Sequence, residues 1–308
     1  MNILVTGGAG FIGSHIVDEL VAEGHRVTVV DNVSSGSWEQ VSKDAEQIEL
    51  DIRSEKLEDV FKSHAFDIVF HEAAQTMVPY SMDHPEEDAS INIMGLLNVL
   101  EGARRHGVRK VIFSSSAAVY GDNENVPICE SEMPRPTSFY GLTKWMTEQY
   151  LEQYYKAFGL EYTVLRYSNV YGERQGIRGE GGVVFLFAKA ITEGSGFTIF
   201  GDGTQTRDFI YVKDVAAANI AAMKALSSRG VYNISSNTEL SVNALAEKIM
   251  AAAETTVPVS YQAGRLGDIY RSCLCNQKAR LELGWQPSVS LEDGLKETYM
   301  YFKGGHSK

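Results

Sequence analysis

A chain of 308 residues, 44% hydrophobic, is long enough for a large core or two adjoining domains, and its formal net charge of −12 argues against nucleic acid or an anionic membrane as main partner. The start lacks the basic stretch and small-residue cleavage site of a signal peptide, and no apolar run approaches the roughly 18 residues of a membrane helix, so a cytoplasmic protein is expected. Three cysteines (Cys129, Cys273, Cys275) and seven scattered histidines give neither a disulfide framework nor a metal-ligand spacing, and no metal is expected.

Asn2–Val5 reads as a buried strand, and Phe11, Ile12, Ile16, Val17, Leu20 and Val21 recur at helical spacing. Between them, Thr6-Gly-Gly-Ala-Gly-Phe-Ile-Gly13 sets Gly7, Gly10 and Gly13 on a strand-to-helix turn. Such glycines permit a tight turn, close backbone approach to a phosphate and close helix–strand contact. The helix N-terminus then offers unpaired N–H groups and the positive end of a dipole to an anion. A second apolar run, Arg26–Val30, ends in Asp31, where the acid that holds an adenosine ribose should lie; an Asp there can also be a simple turn or cap residue. No Arg or Lys follows Asp31 directly, and a carboxylate repels a 2′-phosphate, so NAD is expected rather than NADP.

Farther along, Ile48–Leu50 leads to Asp51, a helix is expected over Glu55–Ser63, and the strand Asp67–Phe70 runs into His71-Glu-Ala-Ala-Gln75. One long helix is expected over Glu86–Gly107, then the strand Lys110–Phe113 running into Ser114-Ser-Ser-Ala-Ala-Val-Tyr-Gly121. This alternation with near-continuous apolar strands predicts an α/β fold, a Rossmann-type doubly wound parallel sheet. Ligands should collect at the carboxyl ends of its strands, where Gly7, Asp31, Asp51, Ala73, Ala74 and Ser114–Ser116 fall. The second half is less regular: a strand over Glu161–Leu165, a Gly-rich loop over Gly176–Gly182, and a helix from Val183 to about Thr192. A strand and turn over Phe197–Gly203, helix Val212–Leu226, strand Val231–Ile234, helix Val242–Ala253 and a closing helix from Leu291 complete it. The expected division is a cofactor domain over 1–165, with about 205–235 joining it, and a smaller mixed α/β substrate domain over 166–308.

Tyr140 and Lys144 lie four residues apart in a segment of helical pattern, so both side chains share one face. A neighbouring ammonium favours tyrosinate, which would lower the phenol pKa and make Tyr140 a general base and acid. Lys144 can also hydrogen-bond a nicotinamide ribose. Taken alone, the pair could equally be an exposed helix pair, and serines at a strand end could be backbone caps. Glycine turn, acidic strand end, serine strand end and the Tyr–Lys pair in this order are a far more specific constellation.

Thr6–Gly13, Ser114–Gly121, Tyr140–Lys144 and Arg166-Tyr-Ser-Asn-Val-Tyr-Gly172 resemble the extended short-chain dehydrogenase/reductases, and Gly201-Asp-Gly-Thr-Gln-Thr-Arg-Asp-Phe-Ile-Tyr-Val212 is similar to their nucleotide-sugar epimerases and dehydratases. The resemblance covers essentially the whole chain and is nearest to the UDP-glucose (UDP-galactose) 4-epimerases of galactose metabolism. It implies bound NAD, with Gly7, Gly10, Phe11, Ile12, Gly13, Asp31, Asn32, Asp51, Ile52, Ala73, Ala74, Ser114, Tyr140, Lys144 and Tyr167 around the cofactor. Tyr140 would take the proton of the sugar 4-hydroxyl while the 4-hydride goes to NAD; the 4-keto sugar would turn over and receive the hydride on its other face. Ser116 would orient the hydroxyl, completing a catalytic set of Ser116, Tyr140 and Lys144.

Related dehydratases carry an acid pair directly after the active-site Ser or Thr; here Ala117 and Ala118 stand there, which favours an epimerase. A UDP-glucuronate 4-epimerase, a decarboxylase, a net oxidoreductase and a non-catalytic NAD-sensing protein remain alternatives. For the UDP-sugar, the resemblance implies contacts from Ser116, Asn169 and Val184, phosphate pairing by Arg207 and Arg265, ribose contact by Asp268 and a pocket wall at Ser272. Arg207 could instead form a surface salt bridge with Asp208. Many relatives have an aromatic residue where Ser168 stands, and a bulky tyrosine at the position of Ser272 would crowd a 2-acetamido group. Serine leaves room there, so UDP-GlcNAc and UDP-GalNAc are expected to be accepted. The resemblance also implies a homodimer, through helices around Glu86–Gly107 and Phe139–Phe158.

Overall fold

Successive residues of the first strand face opposite ways: Ile3 and Val5 pack into one apolar cluster and Leu4 into another. The same alternation recurs at Ile68, Val69 and Phe70, so both faces of the sheet are covered. The computed structural model describes residues 1–123, 125–176, 181–225, 229–264 and 269–305. Its first half runs β1 (Asn2–Thr6), α1 (Phe11–Ala22), β2 (Arg26–Asp31), β3 (Glu46–Glu49), α2 (Leu57–Ser63), β4 (Ile68–His71), α3 (Val78–Asp83), α4 (Pro85–Ala89), α5 (Gly95–Arg105), β5 (Lys110–Ser116), α6 (Phe139–Phe158) and β6 (Glu161–Tyr167). The second half runs β7 (Asn169–Tyr171), α7 (Val183–Thr192), β8 (Phe197–Phe200), β9 (Thr206–Arg207), β10 (Phe209–Tyr211), α8 (Val212–Lys224), β11 (Gly230–Ile234), β12 (Leu240–Ser241), α9 (Val242–Ala252), β13 (Val259–Gln262) and α10 (Leu291–Lys303).

Seven strands form one sheet in the order β3-β2-β1-β4-β5-β6-β11, and every pairing in it is parallel. This is the doubly wound arrangement expected from the sequence, with its switch point between β1 and β4. Ile16, Val17 and Leu20 of α1 and Val215, Ala216 and Ile220 of α8 cover one face. Phe61 of α2, Leu96, Val99 and Leu100 of α5 and Leu151 of α6 cover the other. A third cluster joins Phe187 of α7, Phe197 of β8, Leu245 and Ile249 of α9 and Phe302 of α10. Small strand pairs β7–β10, β8–β13 and β9–β12 lie outside the main sheet; of these six strands only β8 was expected from the sequence.

The single helix expected over Glu86–Gly107 is corrected. Its path is α4, a wider π-type turn at Ser90–Met94, then α5. The buried Asn92 on that turn answers three groups on two neighbours: its carbonyl oxygen accepts from the Gln75 N–H at 2.8 Å, and its amide donates to the Gln75 carbonyl at 3.1 Å and the Thr143 hydroxyl at 3.1 Å. Satisfying these groups inside the core compensates for the irregular backbone. By contrast α6 has regular ends: the Ser138 hydroxyl accepts from the Gly141 N–H at 3.1 Å, and Gly159 closes it at φ 73°.

Candidate active site

At the glycine turn the three glycines do different work. Gly7 sits at φ 72°, and a Cβ there would lie 2.4 Å from the Ala73 nitrogen; one on Gly13 would lie 2.3 Å from the Gly7 carbonyl oxygen. Both are forced by the protein's own packing. Gly10 has an ordinary φ of −80°, and its nearest contact would be the Gly7 oxygen at 3.2 Å. Gly10 is the N-cap of α1 and supplies no side-chain cap, so the N–H groups of the first turn, at Phe11, Ile12 and Gly13, fit a diphosphate. Asp31, buried, accepts from the Ala9 N–H at 3.0 Å and the Val33 N–H at 2.7 Å; burial pushes its carboxyl up and these bonds oppose that. Asn32 donates to Asp51 at 3.2 Å, and the Asp51 carboxylate holds Arg53 through bonds of 2.9 and 2.7 Å, which depress its pKa to about 2. The Ile52 side chain is buried in the core, and its carbonyl oxygen accepts from the Asn98 amide at 3.1 Å. Ala73 and Ala74 lie just beyond β4, after Glu72, and are half-buried.

The three serines ending β5 divide their tasks. Ser114 donates to Glu72 and shares a 2.7 Å bond with the Tyr167 hydroxyl. Ser115 points the other way, donating to the buried Glu148 at 2.6 Å; Glu148 in turn grips Arg166 with bonds of 2.9 and 2.5 Å. Ser116 accepts from the Ala118 N–H at 3.2 Å, and its hydroxyl also favours ionisation of the Tyr140 phenol, so it is a backbone cap and a site residue at once.

Lys144 and Tyr140 share the buried face of α6, with the Lys144 Nζ 5.9 Å from the phenol ring centre. That ammonium donates to the Ser114 carbonyl at 2.8 Å. The expectation that Lys144 lowers the Tyr140 pKa is corrected: burial pushes the phenol up to about 12, opposed only by the Ser116 hydrogen bond. Burial also brings Lys144 down to about 8, against the pull of Glu72, Asp88 and Glu148. For both groups the cost of burying a charge outweighs the attraction or repulsion of neighbouring charges.

Sequence reasoning missed the residues that set the first turn of α6. The Ser81 hydroxyl accepts from the Tyr140 N–H at 3.1 Å, and Thr143 donates to the buried Asp88 at 2.7 Å. Asp88 also accepts from Asn92 at 3.2 Å. An Asp–Asn pair four residues apart on the predicted apolar side of a helix was the available signal.

On the substrate side, Asn169 is exposed and Val184 is buried at the start of α7. Arg207 donates to the Thr206 carbonyl at 2.8 Å, and the Ser272 N–H reaches the same residue's carbonyl at 3.2 Å, placing the two side by side. The surface Arg207–Asp208 pair is not what Asp208 forms: its carboxylate is buried and accepts from Ser168 at 3.2 Å, the Ser236 N–H at 2.9 Å, the Asn237 N–H at 3.1 Å and the Leu274 N–H at 3.2 Å. Ser168 therefore has a defined partner, Asp208, at the position where an aromatic residue is frequent in the family. Tyr167 is buried, its hydroxyl taken by Ser114 and by Asn219 at 2.7 Å. Arg265, Asp268 and residues 177–180 of the Gly-rich loop lie outside the described residues. Among the described residues no group of three or more potential metal ligands comes together, and no helix is long and apolar enough to cross a membrane.

A nucleotide-binding sheet end, a buried Tyr–Lys pair and a serine between them define a short-chain dehydrogenase-type site. Residues 3–235 match the family described as the NAD dependent epimerase/dehydratase family, and the chain belongs to it. NAD is accordingly its cofactor, and the protein is an NAD-dependent epimerase. It is similar to the UDP-glucose 4-epimerase of Thermotoga maritima, solved with UDP-glucose: 46% identity, TM-score 0.95, covering 99% of this chain and 100% of that one. A UDP-N-acetylglucosamine 4-epimerase from Methanobrevibacter ruminantium, solved with UDP-N-acetylmuramic acid, is 38% identical with TM-score 0.94, covering 99% and 98%. The UDP-glucose 4-epimerase of Thermus thermophilus, solved with NAD, is 39% identical with TM-score 0.93, covering 99% of each chain.

Proposed function

We propose that this chain is a UDP-sugar 4-epimerase that interconverts UDP-glucose and UDP-galactose and also accepts UDP-GlcNAc and UDP-GalNAc. The observation that carries the reading is the buried Tyr140 phenol on the same face of α6 as the buried Lys144, whose Nζ lies 5.9 Å from the phenol ring centre. Bound NAD supplies a reversible hydride acceptor for carbon 4 of the sugar. Tyr140 exchanges a proton with the 4-hydroxyl, and Ser116 orients that hydroxyl and carries its hydrogen bond through the ketone stage. Lys144 holds the nicotinamide ribose and offsets negative charge on Tyr140 as the pocket fills.

The first turn of α1 meets the cofactor diphosphate through Gly7, Gly10, Phe11, Ile12 and Gly13. Asp31 and Asn32 meet the adenosine ribose, Asp51 and Ile52 the adenine, and Ala73, Ala74, Ser114 and Tyr167 the nicotinamide half. Asn169, Val184, Arg207, Arg265, Asp268 and Ser272 form the UDP-sugar side. The cofactor domain is residues 1–165 with about 205–235, consistent with β11 in the main sheet; 166–308 is mainly the substrate domain. Ala117 and Ala118, where dehydratases carry acids, support epimerisation over loss of water.

The N-acetylated substrates rest on the small side chain of Ser272, and the Methanobrevibacter neighbour supports them. Exposed Phe139, Leu142 and Met146, at i, i+3 and i+7 of α6, with Met94 nearby in sequence to α5, support a homodimer through these helices, in the cytoplasm. Proton NMR of the purified protein with UDP-GlcNAc, and separately with UDP-glucose, tests the function. Inversion at carbon 4 in both tubes is expected. Inversion of UDP-glucose alone removes the broader specificity, and loss of water or carbon dioxide, or no reaction, overturns the reading.

A further inference from the structure

We propose that Glu72 sets the charge of the catalytic centre, its carboxylate biasing the bound nicotinamide toward the oxidised form. The inference rests on the epimerase reading above. Glu72 is the first residue after β4, and its N–H donates to the Thr6 carbonyl at 3.0 Å. It therefore stands where the strand order reverses, between the carboxyl ends of β1 and β4. Glu72 as a residue is half-buried.

A directed chain of hydrogen bonds ends on that carboxyl. The Asn219 amide donates to the Tyr167 hydroxyl at 2.7 Å, so the phenol proton is free to go to Ser114, 2.7 Å away, whose own proton goes to Glu72. Every donor in the chain points the same way. The arrangement offers the carboxyl a donor, which favours its ionised form and opposes the burial that pushes it up to about 7. Lys144 lies beside this chain, its ammonium donating to the Ser114 carbonyl, and Glu72 and Lys144 each draw the other toward the charged form. The adjacent imidazole of His71 turns away to Thr6, at 2.8 Å, and burial keeps it neutral.

An oxidised nicotinamide ring is cationic and a reduced one neutral. A carboxylate in the same cleft, held ionised by Lys144 and the ring's own charge, therefore favours the oxidised ring, the form in which the hydride has been given back to the sugar. An epimerase needs that bias, because a cofactor left reduced ends turnover.

The test is the equilibrium between oxidised and reduced bound cofactor. Purified holoprotein is equilibrated with a redox dye couple, and the reduced nicotinamide is read by its near-ultraviolet absorbance. Glu72→Gln should raise the reduced-to-oxidised ratio about tenfold, equal to about 30 mV for a two-electron couple. Glu72→Asp, which keeps the charge, should stay within about twofold of wild type. Ser114→Ala, which cuts the donor chain, should shift the ratio several-fold in the same direction, and stands in if the glutamine variant does not fold. An unshifted ratio in Glu72→Gln, or in Ser114→Ala where it replaces it, overturns the proposal. Wild-type protein that inverts no sugar would instead overturn the epimerase reading, an outcome separable from the redox measurement.

Discussion

The backbone N–H of Tyr140 donates to the hydroxyl of Ser81 at 3.1 Å, across 59 residues of sequence. A helix leaves its first N–H groups without intrahelical partners, and this one is buried. Ser81, in the short helix α3, thus completes α6 at the residue that carries the chemistry. Ser81→Ala should strand the donor, costing about 1–2 kcal/mol of stability. Turnover should fall while cofactor content stays near wild type, measured by thermal unfolding and by steady-state rates on the same preparation.

Tyr140→Phe removes only a hydroxyl whose described partner is Ser116. Loss of general acid–base catalysis should reduce the rate about 10²–10⁴-fold. Bound NAD, read by absorbance, should persist, and melting should change little. Near-normal turnover would remove Tyr140 from the chemistry.

Gly10 and Gly13 should respond differently to alanine. A Cβ on Gly13 meets a backbone oxygen at 2.3 Å, whereas Gly10 has a permissive φ and a nearest contact of 3.2 Å. Gly13→Ala should cost roughly 1–3 kcal/mol through overpacking. Gly10→Ala should fold nearly as well as wild type yet lose NAD, because its methyl group occupies the approach to the helix terminus. Thermal melts with and without added NAD separate the two effects.

Ser272→Tyr tests the pocket wall. Turnover of UDP-GlcNAc should fall by about tenfold or more while UDP-glucose turnover holds, since one bulky group in a tight pocket discriminates by ~1–3 kcal/mol. Parallel losses on both sugars would place Ser272 in the scaffold instead.

The cofactor-free protein should show a pH signature of Glu72. Burial raises its carboxyl from 4.5 to about 7, so between these values the folded state binds more protons than the unfolded one. Stability from this group is present below pH 4.5 and is lost as pH rises through 7. Glu72→Gln should therefore melt higher than wild type at pH 8, by roughly a few degrees, and the gap should shrink at pH 5. A pH-independent gap would show that the carboxyl is not titrating in this window.

How much of this was legible beforehand follows from what each signal depends on. The strand–glycine–helix turn and the serine end of β5 are local, set by period and residue type, and α1 starts at Phe11 as its apolar spacing required. Lys144 and Tyr140 could be placed on one face from spacing alone, but not the sign of the phenol shift, because burial is a property of the assembled pocket. The π-type turn was hidden because Asn92 obtains its partners from Gln75 and Thr143, residues remote in sequence. Likewise β9 and β12 are two-residue pairs set by tertiary contact. The inward turn of Asp208 was invisible for the same reason: its partners come from segments at 168, 236 and 274.

That Asp208 carboxylate has a further bearing on how such a pocket changes over evolutionary time. It rivets the segments leading to Asn169, Arg207 and Ser272 to one point, so these loops form a single plate rather than independent fingers. Side chains at the plate's rim can be exchanged one at a time, each altering which sugar fits, while the spacing among the others stays fixed. Loss of the rivet would instead loosen every selectivity contact together.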